Sequence, residues 1–146
     1  MLKKCFAPGM DSPCTNLALL MMRVWFGVTM LANHGFGKLK GFGEMSANFP
    51  DPLGVGHAMS LALAVFAEFF CSLLLILGLL TRFGALVLAI NMAVAFFIVH
   101  KGVLSGERSG ELAFIYLAGY VVLLFAGPGR FSADGSLFRK TAPPTS

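Results

Sequence analysis

Four long apolar runs alternate with segments that hold most of the Gly, Pro and charged residues. The runs cover residues 17–33, 58–80, 83–99 and 112–126. A membrane-spanning helix needs about 20 apolar residues, so the second run crosses a bilayer unaided, and the others cross together with their polar-edged flanks. The pattern predicts a single all-α domain, an integral membrane four-helix bundle. Its transmembrane helices are expected at about 16–34, 57–80, 83–100 and 111–127.

Composition supports a membrane protein and excludes several other classes. Of the 146 residues, 57% are hydrophobic and 12% are charged, whereas a soluble domain carries about 25% charged residues. One domain of this length cannot hide so much apolar surface in its own core, so that surface faces lipid. Disorder, collagen-like repeats and a secreted disulfide scaffold are excluded. Cys5, Cys14 and Cys71 have no C-x-x-C spacing, and we interpret them as reduced thiols.

Basic residues are distributed unequally between the two sides of the predicted bundle. With four spans, both termini lie on one side. That side holds Lys3, Lys4, Arg82, Arg130, Arg139 and Lys140, and the other side holds Lys38, Lys40, Lys101 and Arg108. By the positive-inside rule, the tails 1–15 and 128–146 are expected in the cytoplasm. The first run lacks a signal-peptide cleavage pattern and is expected to remain in the protein.

The segment between the first two runs has two interpretations. Apolar residues recur in it at near-helical spacing, with Lys38, Lys40 and Glu44 between them. These apolar residues are Phe36, Leu39, Phe42, Met45 and Phe49. This pattern suits a short helix lying along the membrane interface. Three glycines in the same segment favour an irregular loop equally well.

Two ionisable residues fall well inside the predicted spans. Arg23 lies in the middle portion of the first helix, and Glu68 lies near the centre of the second. Charged groups at membrane depth usually face the bundle interior and pair with one another. Because the two helices are antiparallel, the sequence predicts an Arg23–Glu68 ion pair. Such a pair either serves function or only fixes the helix register, and in both cases Glu68→Ala is expected to impair folding.

The phase of 100° per residue gives each of the first two helices one stripe that carries its polar residues. The stripes are Arg23, Gly27, Met30 and His34, and His57, Leu61, Ala64, Glu68 and Ser72. We expect the small Gly27 and Ala64 to face each other and bring the two backbones close. Two levels of facing pairs follow, Arg23 with Glu68 at mid-depth and His34 with His57 near the outer surface.

A polar mouth is predicted at the outer end of the bundle. The predicted topology places His34, His57, His100, Lys38 and Glu111 there. Histidine exchanges protons near neutral pH, so this mouth would suit an ion or a redox head group. The alternatives are that the His rings favour the membrane interface and that Glu111 only interacts with a helix dipole. No H-x-x-H or E-x-x-H spacing is present, and no metal is predicted.

The third and fourth helices carry polar residues with different phases. Asn91 and His100 are nine residues apart, so an uninterrupted helix points them to opposite faces. We expect Asn91 to make an interhelical hydrogen bond. Tyr116 and Tyr120 share one face, suited to packing or to a partner, while Glu111 points elsewhere.

Several short motifs follow one another across nearly the whole chain. They are Arg23, His34-Gly35, Lys38-Leu39, Glu68, Gly78-Leu79, Arg82, Met92, His100, Glu111 and the segment Gly127-Pro128-Gly129-Arg130-Phe131-Ser132-Ala133-Asp134. In order and spacing they resemble the DoxX family of small four-helix bacterial membrane proteins. The chain departs from the family pattern at Phe131, where Tyr is frequent, and at Ala133, where Leu is frequent.

The resemblance implies a redox context, because name-giving members of the family look like subunits of a terminal quinol oxidase or a thiosulfate:quinone oxidoreductase. It carries over six expected ligand-binding positions, Arg23, His34, Lys38, Glu68, His100 and Glu111. Of these, His34, His100, Glu111 and Glu68 are the candidates for a catalytic role. His57 is not part of the pattern.

Two classes of function stay open. The first is a quinone-linked redox membrane subunit, which needs a partner protein because the chain has no recognisable haem, flavin or iron–sulfur motif. The second is a non-enzymatic membrane scaffold or assembly partner, in which the chain binds another protein or forms a homo-oligomer. Small-solute transport is less favoured, since four helices leave little room and no inverted repeat is evident. Nucleic-acid binding is excluded by the absence of a basic, aromatic-interleaved segment.

Overall fold

A computed structural model describes residues 12–139, and within this range the chain is entirely helical, with no strand. The helices are α1 (Pro13–Lys40), α2 (Phe42–Met45), α3 (His57–Leu77), α4 (Thr81–Val99), α5 (Glu111–Ala126) and α6 (Ala133–Arg139). Three of them, α1, α3 and α4, are long and apolar enough to cross a membrane, and α5 is a shorter apolar helix. The predicted all-α membrane helical bundle is confirmed.

The bundle consists of α1, α3, α4 and α5. Helix α4 packs along α5 and against α3, while α1 packs against both α3 and α5. Leu75, Leu88, Leu123 and Tyr120 are fully buried between the helices, whereas Trp25, on the outside of α1, is 71% exposed. Such outward apolar side chains cover the faces that meet lipid. We call the end that holds residues 12 and 127–139 the terminal end, and the opposite end the loop end.

Helix α1 is longer than its apolar run. It continues past Asn33 to Lys40, so the first part of the segment expected to form an interfacial helix or a loop extends α1 instead. Only the short α2 follows before an irregular loop to His57. Near the end of α1, the Lys40 ammonium lies 4.6 Å from the centre of the Phe36 ring. This cation–π contact stabilises an aromatic side chain that is otherwise exposed.

Each of the three long helices contains a π-helical segment. These segments are Leu31–Gly35 in α1, Phe66–Cys71 in α3 and Val94–Val99 in α4. A π turn spans one more residue than an α turn and therefore rotates the following residues about the helix axis. In α1 the buried position that follows Met30 is Gly35, and His34 is only half-buried. A constant rotation of 100° per residue therefore does not predict which residues after Met30 are buried.

The register between α1 and α3 follows from where their glycines meet the opposite helix. A Cβ added at Gly35 would lie 2.5 Å from the Glu68 carbonyl oxygen, and one at Gly27 would lie 2.7 Å from Ile76 Cγ1. Gly27 also lies close to the carbonyl oxygen of Ser72. Small residues allow this close backbone approach, which drives helix association in lipid. The expected contact of Gly27 with Ala64 is therefore wrong.

In this register Arg23 and Glu68 lie at different levels of the bundle. A Cβ at Gly78 would overlap Arg23 Nη1, so Arg23 is level with the end of α3 and not with its centre. Ten residues of helix, about 15 Å, separate that level from Glu68. The predicted Arg23–Glu68 ion pair is wrong. Because α1 extends beyond its apolar run, Lys38 is the basic residue that reaches Glu68.

At the terminal end, the segment after α5 folds back over the buried Arg23. The Arg23 guanidinium donates a hydrogen bond from Nη2 to the Phe131 carbonyl oxygen. The Asp134 carboxylate lies close enough to interact electrostatically with Arg23 and accepts hydrogen bonds from the amides of Leu80 and Thr81, each at 2.9 Å. Arg23 and Asp134 thus join α1, the α3–α4 turn and the C-terminal segment.

Cys14 and Cys71 differ in oxidation state. Cys71 is a buried free thiol, as expected, but Cys14 is disulfide-bonded, so its interpretation as a reduced thiol is wrong. An odd number of cysteines leaves one thiol unpaired and still permits one disulfide, which the count alone does not reveal. Cys5 lies outside the described residues.

Candidate functional site

The buried acid of α3 is held by side chains from two other helices. The Lys38 ammonium of α1 donates to Glu68 Oε2 in a salt bridge, and Asn91 Nδ2 of α4 donates to Glu68 Oε1 over 3.1 Å. Both carboxylate oxygens of Glu68 therefore have a donor. The Asn91 bond confirms the predicted interhelical hydrogen bond. We call Lys38, Glu68 and Asn91 the polar triad.

The local backbone explains how the polar triad forms. Glu68 lies in the π segment of α3 and Gly35 in that of α1, and the two segments pack against each other. The missing side chain of Gly35 lets α1 approach the Glu68 backbone. Lys38 follows three residues later on α1, which places it on the same face one turn further toward the loop end. Its flexible stem then reaches the carboxylate.

A cavity of about 460 Å³ lies beside the polar triad, between α3 and α4 near the loop end. This volume suits a small-molecule site. The polar triad and Ser60 contribute polar atoms to a lining that is otherwise apolar. The apolar lining is Phe49, Pro50, Pro52, Leu53, Leu63, Ala64, Phe66, Ala67, Val87, Ile90, Val94, Ala95 and Val99. Predominantly apolar walls with a few placed polar groups are typical of ligand pockets.

The cavity forms because α3 has different neighbours along its length. Residues 66–77 of α3 pack against α4, while His57–Val65 packs against the end of α1 and against α2. A gap between α3 and α4 results toward the loop end. Leu63, Phe66 and Ile90 line this gap and are each more than 40% exposed on the apolar outside of the bundle. The cavity therefore borders the exposed apolar faces of α3 and α4.

Residues 49–53 of the loop before α3 cover the cavity at the loop end, and we call them the loop wall. Asp51 Oδ1 accepts hydrogen bonds from the Val55 amide at 3.0 Å and from Ser60 Oγ at 2.7 Å. Asp51 Oδ2 accepts one from the Gly56 amide at 2.8 Å. These hydrogen bonds lower the pKa of Asp51 below its ordinary value, and the bond from Ser60 has the largest effect. The carboxylate is therefore charged at neutral pH.

Comparison with known proteins assigns the family. The sequence model of the DoxX family matches residues 18–101, more than half of the chain and the part that contains the polar triad. The chain belongs to the DoxX family. The resemblance in the sequence motifs is thereby confirmed.

Two relatives of this DoxX chain come from Haemophilus influenzae. One is 40% identical over 91 residues, which cover 59% of this chain and 67% of the relative. The other is 30% identical over 148 residues, which cover 97% of this chain and 95% of the relative. Both are described as uncharacterized proteins. No solved structure matches the chain.

His34 of this DoxX chain borders the polar triad without lining the cavity. Its ring packs edge-on against Tyr116, with the ring centres 6.1 Å apart, and it lies within electrostatic range of Glu68 and Lys38. Tyr116 and Tyr120 share a face, as predicted, and their rings stack at 5.9 Å. Both tyrosines are buried, so this face serves packing inside the bundle.

The remaining expected members of the polar mouth have separate partners. His57 Nδ1 lies 2.6 Å from the Phe49 carbonyl oxygen, and His100 Nδ1 lies 3.1 Å from that of Arg108. Glu111 is exposed at the start of α5. None of these side chains, nor Arg23, lines the cavity, and the expected His34–His57 pair is not formed. The roles of Arg23, His34, His100 and Glu111 in binding stay predictions.

Sequence reasoning missed the loop wall. The signal was present in Asp51-Pro52-Leu53-Gly54, because an Asp followed by Pro and Gly is typical of a turn in which the carboxylate binds amides a few residues ahead. What the pattern could not show is the further bond to Ser60 on α3. Within residues 12–139, no group of three or more His, Cys, Asp or Glu side chains is placed to hold a metal ion.

Proposed function

We propose that this DoxX-family membrane protein binds the head group of a lipid-soluble quinone and acts as the membrane subunit of a quinone-linked redox system. One observation supports the proposal, the polar triad at a cavity that borders the exposed apolar faces of α3 and α4. A lipid-soluble ligand can reach such a cavity from the bilayer and find polar partners inside it.

The charge of the site favours an uncharged ligand. Lys38 and Glu68 neutralise each other, so neither an anion nor a cation finds an unpaired opposite charge. The ring oxygens of a quinone need hydrogen-bond donors, and the Lys38 ammonium and the Asn91 amide are the donors at the cavity. Two donors and one carboxylate therefore fit the head group.

Each residue of the polar triad would have a separate role in binding the quinone. A bound quinone supplies the capacity to take up two electrons and two protons. Lys38 and Asn91 would orient the ring by donating to its oxygens. The Glu68 carboxylate would accept one proton from a bound quinol, and the second proton would pass to the partner protein with the two electrons. The apolar lining excludes water and strengthens these polar contacts. Electrons require a carrier that this chain does not supply by any recognisable motif, so we assign it to a partner protein.

Quinone binding is tested by purification in a mild detergent, extraction of bound quinone, and titration with a short-tailed quinone while the melting temperature is measured. We expect bound quinone and a rise in melting temperature, since a ligand of the folded state stabilises it. Asn91→Leu removes one donor and should weaken binding at least tenfold. Asn33→Leu, at an exposed amide on α1, is the matched control and should bind as the unsubstituted chain does.

A different outcome would favour the scaffold function. If no quinone is extracted and no quinone analogue raises the melting temperature, the proposal fails, and a non-enzymatic assembly role is the better explanation. Purification of the chain with a second protein, and without quinone, would support that alternative.

We also propose a bacterial inner-membrane location with both termini in the cytoplasm. The proposal rests on the excess of Lys and Arg at the terminal end. The disulfide at Cys14 opposes it, because disulfides persist mainly in oxidising compartments. Alkaline phosphatase and a green fluorescent protein, each fused to the C-terminus, decide between the two. We expect fluorescence and no phosphatase activity, and the reverse would invert the orientation without changing the cavity.

A further inference from the structure

The Asp51 side chain joins the loop wall to a residue that lines the cavity. Asp51 accepts two backbone hydrogen bonds from Val55 and Gly56, within its own loop, and a third from Ser60 Oγ on α3. Ser60 itself lines the cavity and is 8% exposed. Asp51 thus connects the chain that covers the cavity directly to one of its walls.

We propose that Asp51 is a positioning residue that closes the cavity toward water, so that the site is filled from the membrane and selects ligands that partition into lipid. The ligand class rests on the proposed function, whereas the direction of access does not. Phe49, Pro50, Pro52 and Leu53, which flank Asp51 in sequence, all contribute to the lining.

The geometry explains why one carboxylate controls access. The prolines at positions 50 and 52 restrict the backbone on both sides of Asp51, so the loop wall has few ways to bend within itself. Its attachments to α3 are the bond from Ser60 to Asp51 and the contact of the His57 ring with the Phe49 carbonyl oxygen. Loss of the first leaves Asp51 bonded only to the amides of Val55 and Gly56 and removes its bond to the cavity-lining Ser60.

The opposite side of the cavity is built for apolar molecules. Leu63 and Phe66 of α3 and Ile90 of α4 lie at the gap between the helices, and each is more than 40% exposed. A ligand with an apolar tail can leave that tail in the gap while its head group meets the polar triad. A small hydrophilic molecule gains nothing there and finds the loop wall on the aqueous side.

The direction of access is tested with a cysteine placed inside the cavity. Ala64 lines the cavity and is 7% exposed. The Ala64→Cys chain is placed in nanodiscs, where both aqueous faces are open, and its labelling rates by a charged thiol reagent and by an apolar maleimide are compared. We expect the apolar reagent to label the site and the charged one to fail. Asp51→Asn or Ser60→Ala should raise the charged reagent's rate at least tenfold.

Three control chains provide reference labelling rates. Gly43→Cys, at an exposed position with open space around it, should react with both reagents, and Ala89→Cys, in the core away from the cavity, with neither. The unsubstituted chain gives the background from Cys71. Circular dichroism checks that Asp51→Asn and Ser60→Ala keep the native helical content, and Ser60→Ala serves where Asp51→Asn does not fold.

Specific outcomes would overturn the inference. If the charged reagent labels Ala64→Cys as fast as Gly43→Cys, the cavity is open to water. If the apolar reagent fails as well, the cavity is not reached from lipid. If neither Asp51→Asn nor Ser60→Ala changes the rates, Asp51 does not hold the loop wall. The expected labelling combined with an absence of quinone binding would reject the proposed function alone.

Discussion

Glu68→Leu is expected to lower the free energy of unfolding by about 2–3 kcal/mol, because it leaves the partly buried Lys38 ammonium without its counter-charge. The two groups form a salt bridge in which the Glu68 side chain is 6% exposed and that of Lys38 20%. Unfolding in mixed micelles with increasing dodecyl sulfate, followed by circular dichroism, measures the loss.

The pairing itself is tested by a double-mutant cycle. Lys38→Met alone should also destabilise, but Lys38→Met combined with Glu68→Leu should cost much less than the sum, because replacing both charges removes the unpaired one. The matched control combines Glu68→Leu with Lys40→Met, whose ammonium lies over the Phe36 ring instead. That pair should be additive. Additive losses for Lys38 and Glu68 as well would mean that the two do not interact.

Gly78→Ala is expected to have an effect at the terminal end as well, about 3–5 kcal/mol. Gly78 ends α3 in a left-handed conformation with φ of +69°, which a side chain disfavours by about 1–2 kcal/mol. A Cβ there would also lie 1.7 Å from Arg23 Nη1 and 2.6 Å from Ser132 Cβ. Arg23 is fully buried, so it can move away only by leaving the Phe131 carbonyl oxygen.

Gly37→Ala is the matched control for that substitution. Gly37 lies within α1, and a Cβ there would meet nothing within 4 Å. Alanine in a helix interior is favoured over glycine by up to about 1 kcal/mol, so this variant should be neutral or slightly more stable. The same unfolding measurement serves both variants. Equal stability of the Gly78→Ala and Gly37→Ala chains would show that Arg23 is not packed against the α3–α4 turn.

The two buried charges show where reasoning from sequence succeeded and where it failed. Both Arg23 and Glu68 are buried in the bundle, as the cost of charge in lipid requires. Their partners were wrong because the depth of each residue was taken from the apolar run that contains it. Helix α1 continues to Lys40, and its glycines set a register against α3 that brings Lys38 to Glu68.

The predicted hydrogen bond of Asn91 is confirmed, whereas the predicted pairing of His34 with His57 is wrong. An amide in the middle of an apolar helix has few partners within reach, and Asn91 does bond to Glu68. Histidines near helix ends can reach nearby loop carbonyls instead, and His57 and His100 do so. Loop geometry, which carries no periodic signal, therefore decided the partners of His57 and His100, and the expected His34–His57 pair is not formed.

The amino-acid pattern was enough to predict the all-α membrane bundle, the family, and the burial of Arg23 and Glu68, because a charged group in a membrane-spanning helix avoids lipid by facing the interior. Which polar residues meet depends on how the helices pack in the folded bundle. The π segments rotate the faces of α1 and α3, close glycine contacts fix their register, and Asp51 folds a loop over the cavity beside Glu68. Each depends on contacts between distant parts of the chain, which helical periodicity does not encode.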